Sequence, residues 1–296
     1  MNIEISIAKQ QQEFIVYSKL FASLIVLASF SAHAADSEFF YQSKAGQSDL
    51  TPRLGYVSAA VKGKGAGAVE TKFSGIYQSG VSYEYGINEM FSVEGTLLYS
   101  SYETDSTPKT KTSGLQDPQV VLKGTSDMGN ANLRFGLRAG LSLEKAEDKA
   151  NGDSNTASGG FSFAPYVGVD TEAAGGSVGG RLFYTFMMER TREEEGGPDV
   201  KTKDGNVLGL SAFYETAITD VILGGSLNYA SYDTAKLTSE GMTGEIKSFN
   251  TTGLSLYSRM PFGSWALLPR LDYDFSHSEA SKFDIINLSV AARFGF

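Results

Sequence analysis

From Asn132 to Glu144 the chain alternates. Leu133, Phe135, Leu137, Ala139, Leu141 and Leu143 fall on one side, and Arg134, Gly136, Arg138, Gly140, Ser142 and Glu144 on the other. A period of two marks a strand with one apolar face. At helical spacing the same residues would scatter Arg134 and Arg138 into the leucine stripe, so a helix is excluded. The pattern recurs with Trp265, Leu267, Pro269, Leu271, Tyr273 and Phe275 against Arg270, Asp272 and Asp274, and with Leu208, Leu210, Ala212 and Tyr214 against Ser211 and Glu215. The whole chain read this way predicts about twelve strands, near 53–62, 72–87, 90–102, 116–125, 132–144, 159–170, 177–188, 206–218, 221–232, 248–259, 265–276 and 284–296. Their lengths suit strands of about 9–11 residues tilted across a bilayer.

The connections alternate too. Short ones fall at Asn88-Glu89, Ser126 to Ala131, Glu172 to Gly176, Thr219-Asp220 and Pro261 to Ser264. Between them lie polar loops near 103–115, 145–158, 189–205, 233–247 and 277–283, with a glycine-rich one at 63–71 that holds the flexible tip Gly63 to Gly67. Short turns on one side and long loops on the other is the arrangement of an outer-membrane barrel, and an even strand number puts both termini with the short turns. Composition agrees: Gly 33, Tyr 15 and Phe 19 against Pro 7 and Trp 1 favour many short strands.

The N-terminus reads as an export signal. Leu20 to Phe30 is an apolar core preceded by Lys9 and Lys19 and followed by Ala32-His33-Ala34, an A-x-A cleavage pattern. Residues 1–34 are therefore expected to be removed, leaving 35–296 as the barrel. Beyond the signal no apolar run is long enough to cross a bilayer as a helix.

A soluble β-sandwich would share the period of two. It is disfavoured because it needs protected edges, for which proline is scarce. Aromatics also sit at both ends of the apolar faces: Phe73, Tyr99, Phe161, Phe186, Tyr229 and Phe275 toward the long loops, and Tyr85, Phe91, Tyr214 and Trp265 toward the short turns. Such rings form the two girdles of a membrane barrel. Finally, Leu288, Val290, Ala292 and Phe294 alternate up to a closing Phe296. That ending resembles the assembly signal of Gram-negative outer-membrane barrels, which implies recognition by the barrel assembly machinery. The expected fold is an all-β, antiparallel, up-and-down transmembrane barrel in contact with outer-membrane lipid and lipopolysaccharide. The strand ending at Phe296 should bond to the one containing Leu54 and Tyr56, because in lipid only closure pairs every backbone group.

If the apolar side faces lipid, the enclosed side carries Glu84, Glu94, Lys123, Arg134, Arg138, Asp170, Arg181, Glu215, Arg270, Asp272, Asp274 and Arg293. Two readings stand. In one, these charges neutralise one another and fill a narrow lumen, giving a non-conducting barrel with a structural or surface-interaction role. In the other, Glu94, Arg134, Arg138, Asp170, Arg181, Glu215, Arg270, Asp272 and Arg293 line a permeation path, arginines forming a positive wall opposite a carboxylate wall. Twelve strands enclose more than the side-chain-filled interior of an eight-stranded barrel and less than a sixteen-stranded porin, so small solutes are the expected cargo.

Other chemistry is poorly supplied. Cys 0 removes disulfides, thiol nucleophiles and zinc–thiolate sites. A net charge of −9 argues against a nucleic-acid partner. After the signal only His277 remains, so the one serine–histidine candidate is Ser276-His277-Ser278. A hydrolase needs that imidazole held by a third group, and no G-x-S-x-G elbow is present. No enzyme, cofactor or metal is expected. The charged stretch with Glu189, Glu193, Glu194, Glu195, Asp199 and Asp204 among Arg190, Arg192, Lys201 and Lys203 reads as a solvated loop tip, with a cation or lipopolysaccharide contact as the functional alternative.

Ser113 to Ser142 resembles the mid-barrel stretch of the outer-membrane family of MetA-pathway phenol-degradation and transporter proteins. Gly114, Leu115, Asp117, Pro118, Leu122 and Lys123 match its entry into a strand ending in Leu-Lys, whereas Gln116 replaces a glycine. The resemblance implies passive or facilitated uptake of small compounds, with aromatics as one candidate class. The expected function is a porin-like channel for small solutes.

Overall fold

The alternation resolves, in a computed structural model, into a chain that is all-β among its described residues. The structure describes residues 39–63, 70–104, 110–150, 152–173, 175–277 and 281–296. The expected export signal, residues 1–34, lies outside the described residues, as do Ser278 and most of the Gly63 to Gly67 tip.

Among the described residues the strands are β1 (Ser48–Gly63), β2 (Glu70–Gly86), β3 (Phe91–Thr104), β4 (Lys111–Leu115), β5 (Gln119–Asp127), β6 (Ala131–Gly140), β7 (Ala146–Asp148), β8 (Ser162–Ala173), β9 (Gly176–Met187), β10 (Arg190–Glu194), β11 (Val200–Asp204), β12 (Val207–Ile218), β13 (Val221–Tyr232), β14 (Ala235–Ser239), β15 (Met242–Ile246), β16 (Phe249–Phe262), β17 (Trp265–His277) and β18 (Ser281–Gly295). Twelve of them, β1, β2, β3, β5, β6, β8, β9, β12, β13, β16, β17 and β18, pair antiparallel with their neighbours and close into a barrel. β4 prolongs the line of β5 along β3 after a break at Gln116–Pro118. At that break, inside the segment that resembles the transporter family, the Asp117 carboxylate accepts hydrogen bonds from the Ser158 amide (3.2 Å) and hydroxyl.

Closure falls where the alternation placed it. β18 lies beside β1, with Leu54 opposite Val290 and Tyr56 opposite Leu288. Ser48 and Phe296 exchange both amide–carbonyl hydrogen bonds at 2.9 Å, sealing the seam up to the last residue. No sheet edge is then left facing hydrocarbon, the condition for a strand structure in lipid. The outer face is apolar: Leu54, Leu210, Leu227 and Leu256 are all more than half exposed. A belt of that kind on a water-soluble protein would be an aggregation surface. The short-turn rim carries stacked rings, with Trp265 between Phe262 (4.7 Å) and Phe294 (6.0 Å).

Two expectations are corrected. Phe73 is not in the outer girdle; it is buried inside, 4% exposed, and packs edge-on against Tyr102. The cause is a bulge between Ser74 and Tyr77, with Gly75 at φ +71°. One extra residue reverses which side of the sheet every earlier side chain faces. The stretches 145–158, 189–205 and 233–247 are also not plain loops. They hold β7, β10, β11, β14 and β15, a separate five-stranded sheet in the order β15-β14-β11-β10-β7. Ala146, Val200, Ala235, Leu237 and Ile246 are buried in it. Its charges pair across strands: Arg192 with Asp148 at 3.0 Å, and on the exposed side Lys145 with Glu193 at 2.6 Å and Lys203 with Glu189 at 2.8 Å. The exposed pairs contribute little stability. The Lys203 hydrogen bond holds the Glu189 carboxyl below its usual range, and burial pushes the Arg190 guanidinium down to about 10.

Candidate functional site

Because every second side chain points inward, strand register decides which charges meet. On β2 and β3 the inward positions place Glu84 directly opposite Glu94. Both are buried, and like charges directly opposite repel. Lys123, reaching in from β5, resolves the conflict: its Nζ lies 2.9 Å from Glu84 and 2.6 Å from Glu94. The remaining oxygen valences are filled by donors. The Ser43 amide (3.1 Å) and Ser92 hydroxyl (2.6 Å) donate to Glu84, and the Thr96 hydroxyl (3.0 Å) donates to Glu94.

Around the wall the same logic repeats. Arg134 of β6 meets Asp170 of β8 through Nε at 2.6 Å and Nη2 at 3.3 Å, the two-pronged geometry that suits a guanidinium and a carboxylate. Asn132 adds a third donor to Asp170 at 3.0 Å. Arg270 and Asp272 pair along β17 at 2.8 Å, and Arg270 also donates to the Ser255 hydroxyl at 3.1 Å. The Arg270 guanidinium lies over the Tyr257 ring at 5.5 Å, and the Tyr257 hydroxyl donates to Glu215 at 2.8 Å. Arg138 takes the inward position four residues beyond Arg134, farther from the short-turn end of β6. In these groups acids and bases stand side by side along the wall, Lys123 with Glu84 and Glu94, Arg134 with Asp170, and Arg270 with Asp272. Leu288, Val290, Phe294 and Phe296 lie on the outer surface, all at least 40% exposed.

Sequence reasoning gives no role to the residues between the expected cleavage point and the first strand. In the structure Phe39 to Gln47 form a strap that runs inside the short-turn end before entering β1. Its three successive rings meet three different arginines. Phe39 lies under Arg181 (5.2 Å), Phe40 under Arg134 (5.7 Å) and Tyr41 under Arg293 (3.3 Å). Phe39 also stacks on Phe213 at 4.2 Å, and Phe40 meets both rings edge-on. Gly168 makes room: a Cβ there would come within 2.5 Å of the Phe40 ring. The Phe39 amide donates to Glu215 (2.9 Å), the Tyr41 hydroxyl to Asp49 (2.7 Å), and Lys123 donates to the Tyr41 carbonyl (3.2 Å). A run of consecutive aromatics has no period of two, so alternation could not have found it. Beside the strap, a cleft of about 620 Å³ opens between Glu172, Ser177, Glu215 and Ile222.

A family model described as the outer membrane protein beta-barrel domain matches residues 22–176. Among solved structures, the COG4313 outer membrane channel from Pseudomonas putida F1 is similar at a TM-score of 0.67 and 11% identity, over 87% of this chain and 98% of that one. The translocator domain of the autotransporter NalP from Neisseria meningitidis is similar at 0.51 and 12%, over 92% of this chain and 97% of that one. At such identities the likeness concerns the fold. No curated protein matches the sequence. The family model spans more than half of the 296 residues, and the closed barrel with its apolar belt has the architecture the match requires: the chain belongs to the outer membrane protein beta-barrel domain family.

Proposed function

We propose that this outer-membrane barrel is a channel through which small solutes pass passively or by facilitated diffusion. The observation that carries the reading is the contrast between the two faces: leucine and tyrosine outside, and a ring of charged and hydrogen-bonding side chains from many strands inside. Paired charges of both signs offer transient partners to a dipolar solute while remaining satisfied when it leaves. Similarity in fold to the COG4313 outer membrane channel agrees with this. Glu94, Arg134, Arg138, Asp170, Arg181, Glu215, Arg270, Asp272 and Arg293 would line the path. Phe296, with Leu288, Val290 and Phe294, would be the end read by the assembly machinery, and the separate five-stranded sheet would meet lipopolysaccharide. No covalent step or cofactor enters the proposal. The Ser276 hydroxyl donates to the Asn250 carbonyl at 2.6 Å, an arrangement that serves structure.

A second reading, a barrel with a structural or surface-interaction role, is favoured by the dense pairing and by the strap. Recording from the purified protein in planar bilayers separates the two: stepwise single-channel conductance is expected, and an intact, inserted barrel that never conducts would establish the second. In a conducting protein, Arg134→Gln together with Arg138→Gln shifts ion selectivity toward cations, because positive charge is removed and Asp170 loses its partner. The reversal potential in a salt gradient measures this. An unchanged value would place both arginines away from the ion path.

A further inference from the structure

We propose that the strap Phe39–Ser43 is a displaceable gate at the periplasmic end of the barrel, one that narrows the lumen and at the same time masks its positive charge. The inference rests on the channel reading. Its carrying observation is that Phe39, Phe40 and Tyr41 each lie against a different arginine, Arg181, Arg134 and Arg293, of which Arg181 also lies near the Tyr166 (5.9 Å) and Phe183 (5.8 Å) rings of the wall. Those arginines stand on β9, β6 and β18, so the three rings reach across the enclosed space from one wall to another instead of lying along one strand. A ring face over a guanidinium replaces water with a weakly negative quadrupole, which lowers the positive potential a permeating anion would meet.

The attachment has the character of a latch. Between Phe39 and Ser43 the strap belongs to no strand ladder. Its backbone is held by side chains: Glu215 accepts from the Phe39 amide, Glu84 accepts from the Ser43 amide, and Lys123 donates to the Tyr41 carbonyl. Most of the wall beneath is paired without it, since Arg134 keeps Asp170, Lys123 keeps Glu84 and Glu94, and Glu215 keeps Tyr257; Asp49 of β1 is the wall carboxylate that gives up donors, the Tyr41 and Ser43 hydroxyls. The strap can therefore leave by giving up its own bonds to wall side chains, without opening a hydrogen bond between barrel strands. Its departure removes one aromatic ring from each of three arginines together. On its C-terminal side, Gly46 and Gln47 exchange backbone hydrogen bonds with Gly86 at 2.8 and 2.9 Å and provide the fixed hinge.

Two measurements test this. Phe39→Ala/Phe40→Ala/Tyr41→Ala, shown to be folded by heat-modifiable electrophoretic mobility, should raise single-channel conductance by roughly two-fold or more and shift the reversal potential toward anion selectivity. Conductance and selectivity equal to those of the unmodified protein would overturn the gate. Should that variant not fold, a second one decides. The chain contains no native cysteine, so Phe39→Cys/Phe213→Cys introduces just two thiols at positions whose rings now stack. Joined by oxidation or a short bis-maleimide, they should hold conductance low, and reduction of the oxidised pair should raise it. Failure of the thiols to join, or equal conductance of joined and free forms, rejects the proposal. If the unmodified protein conducts and the strap variants match it, only the gate falls. If none of the forms conducts, the channel reading falls with it.

Discussion

Lys123→Met is expected to lower the stability of the barrel by about 3–5 kcal/mol, the usual consequence of removing one member of a buried ionic cluster. Methionine has nearly the length and volume of lysine, so packing is conserved and the change reports charge. Without the ammonium, Glu84 and Glu94 face each other across β2 and β3 with side chains only 5–6% exposed. Hydroxyl donors from Ser92 and Thr96 remain, but they supply no positive charge. Urea unfolding of protein refolded into vesicles measures the loss. The triple variant Lys123→Met/Glu84→Gln/Glu94→Gln supplies the decisive comparison, because removing all three charges together abolishes the conflict. It should recover most of the lost stability, since a neutral hydrogen-bonded cluster can match a buried ionic one. A triple variant no more stable than Lys123→Met would mean that the lysine contributes by packing.

The contrast between that cluster and the strand pattern shows how far the sequence could be read. Alternation is a property of neighbours in sequence, so the twelve barrel strands and most of their faces follow from it directly, and the need for closure then sets the last strand beside the first. That Glu84, Glu94 and Lys123 all point inward was legible for the same reason. That they touch was not, because contact depends on register between strands, and a single bulge alters it. Phe73 demonstrates this: its expected outward position assumes an unbroken β2, and the irregularity at Gly75 turns it inside. The separate five-stranded sheet was hidden by length. β10 and β11 have five residues each, too few to establish a period, and their lysines and glutamates read as solvent-facing charge. The strap was hidden for a different reason. Its contacts with Arg181, Arg134 and Arg293 join residues remote in sequence, and nothing local in Phe39-Phe40-Tyr41 specifies them.

Leu227→Arg is the second large effect, expected at about 2–4 kcal/mol against the folded, inserted state. Leu227 lies in the middle of β13 and is 62% exposed on the outer face, opposite Ala212 of β12 and Leu254 of β16, which are exposed as well. An arginine there has hydrocarbon on every open side. Its side chain must snorkel toward a headgroup or draw water inward, and both are unfavourable. Depth distinguishes this cause from a general intolerance of β13 and its neighbours. Ile218 is similarly exposed but ends β12 beside the Thr219-Asp220 turn, at the membrane surface. Ile218→Arg should therefore change stability by only roughly 0–1 kcal/mol. Equilibrium unfolding from vesicles gives both values under one condition. Equal penalties at the two positions would remove the bilayer from the explanation. A penalty confined to Leu227 locates the hydrocarbon against the centre of the strand, and so fixes which side of every strand meets lipid and which side encloses the charged interior.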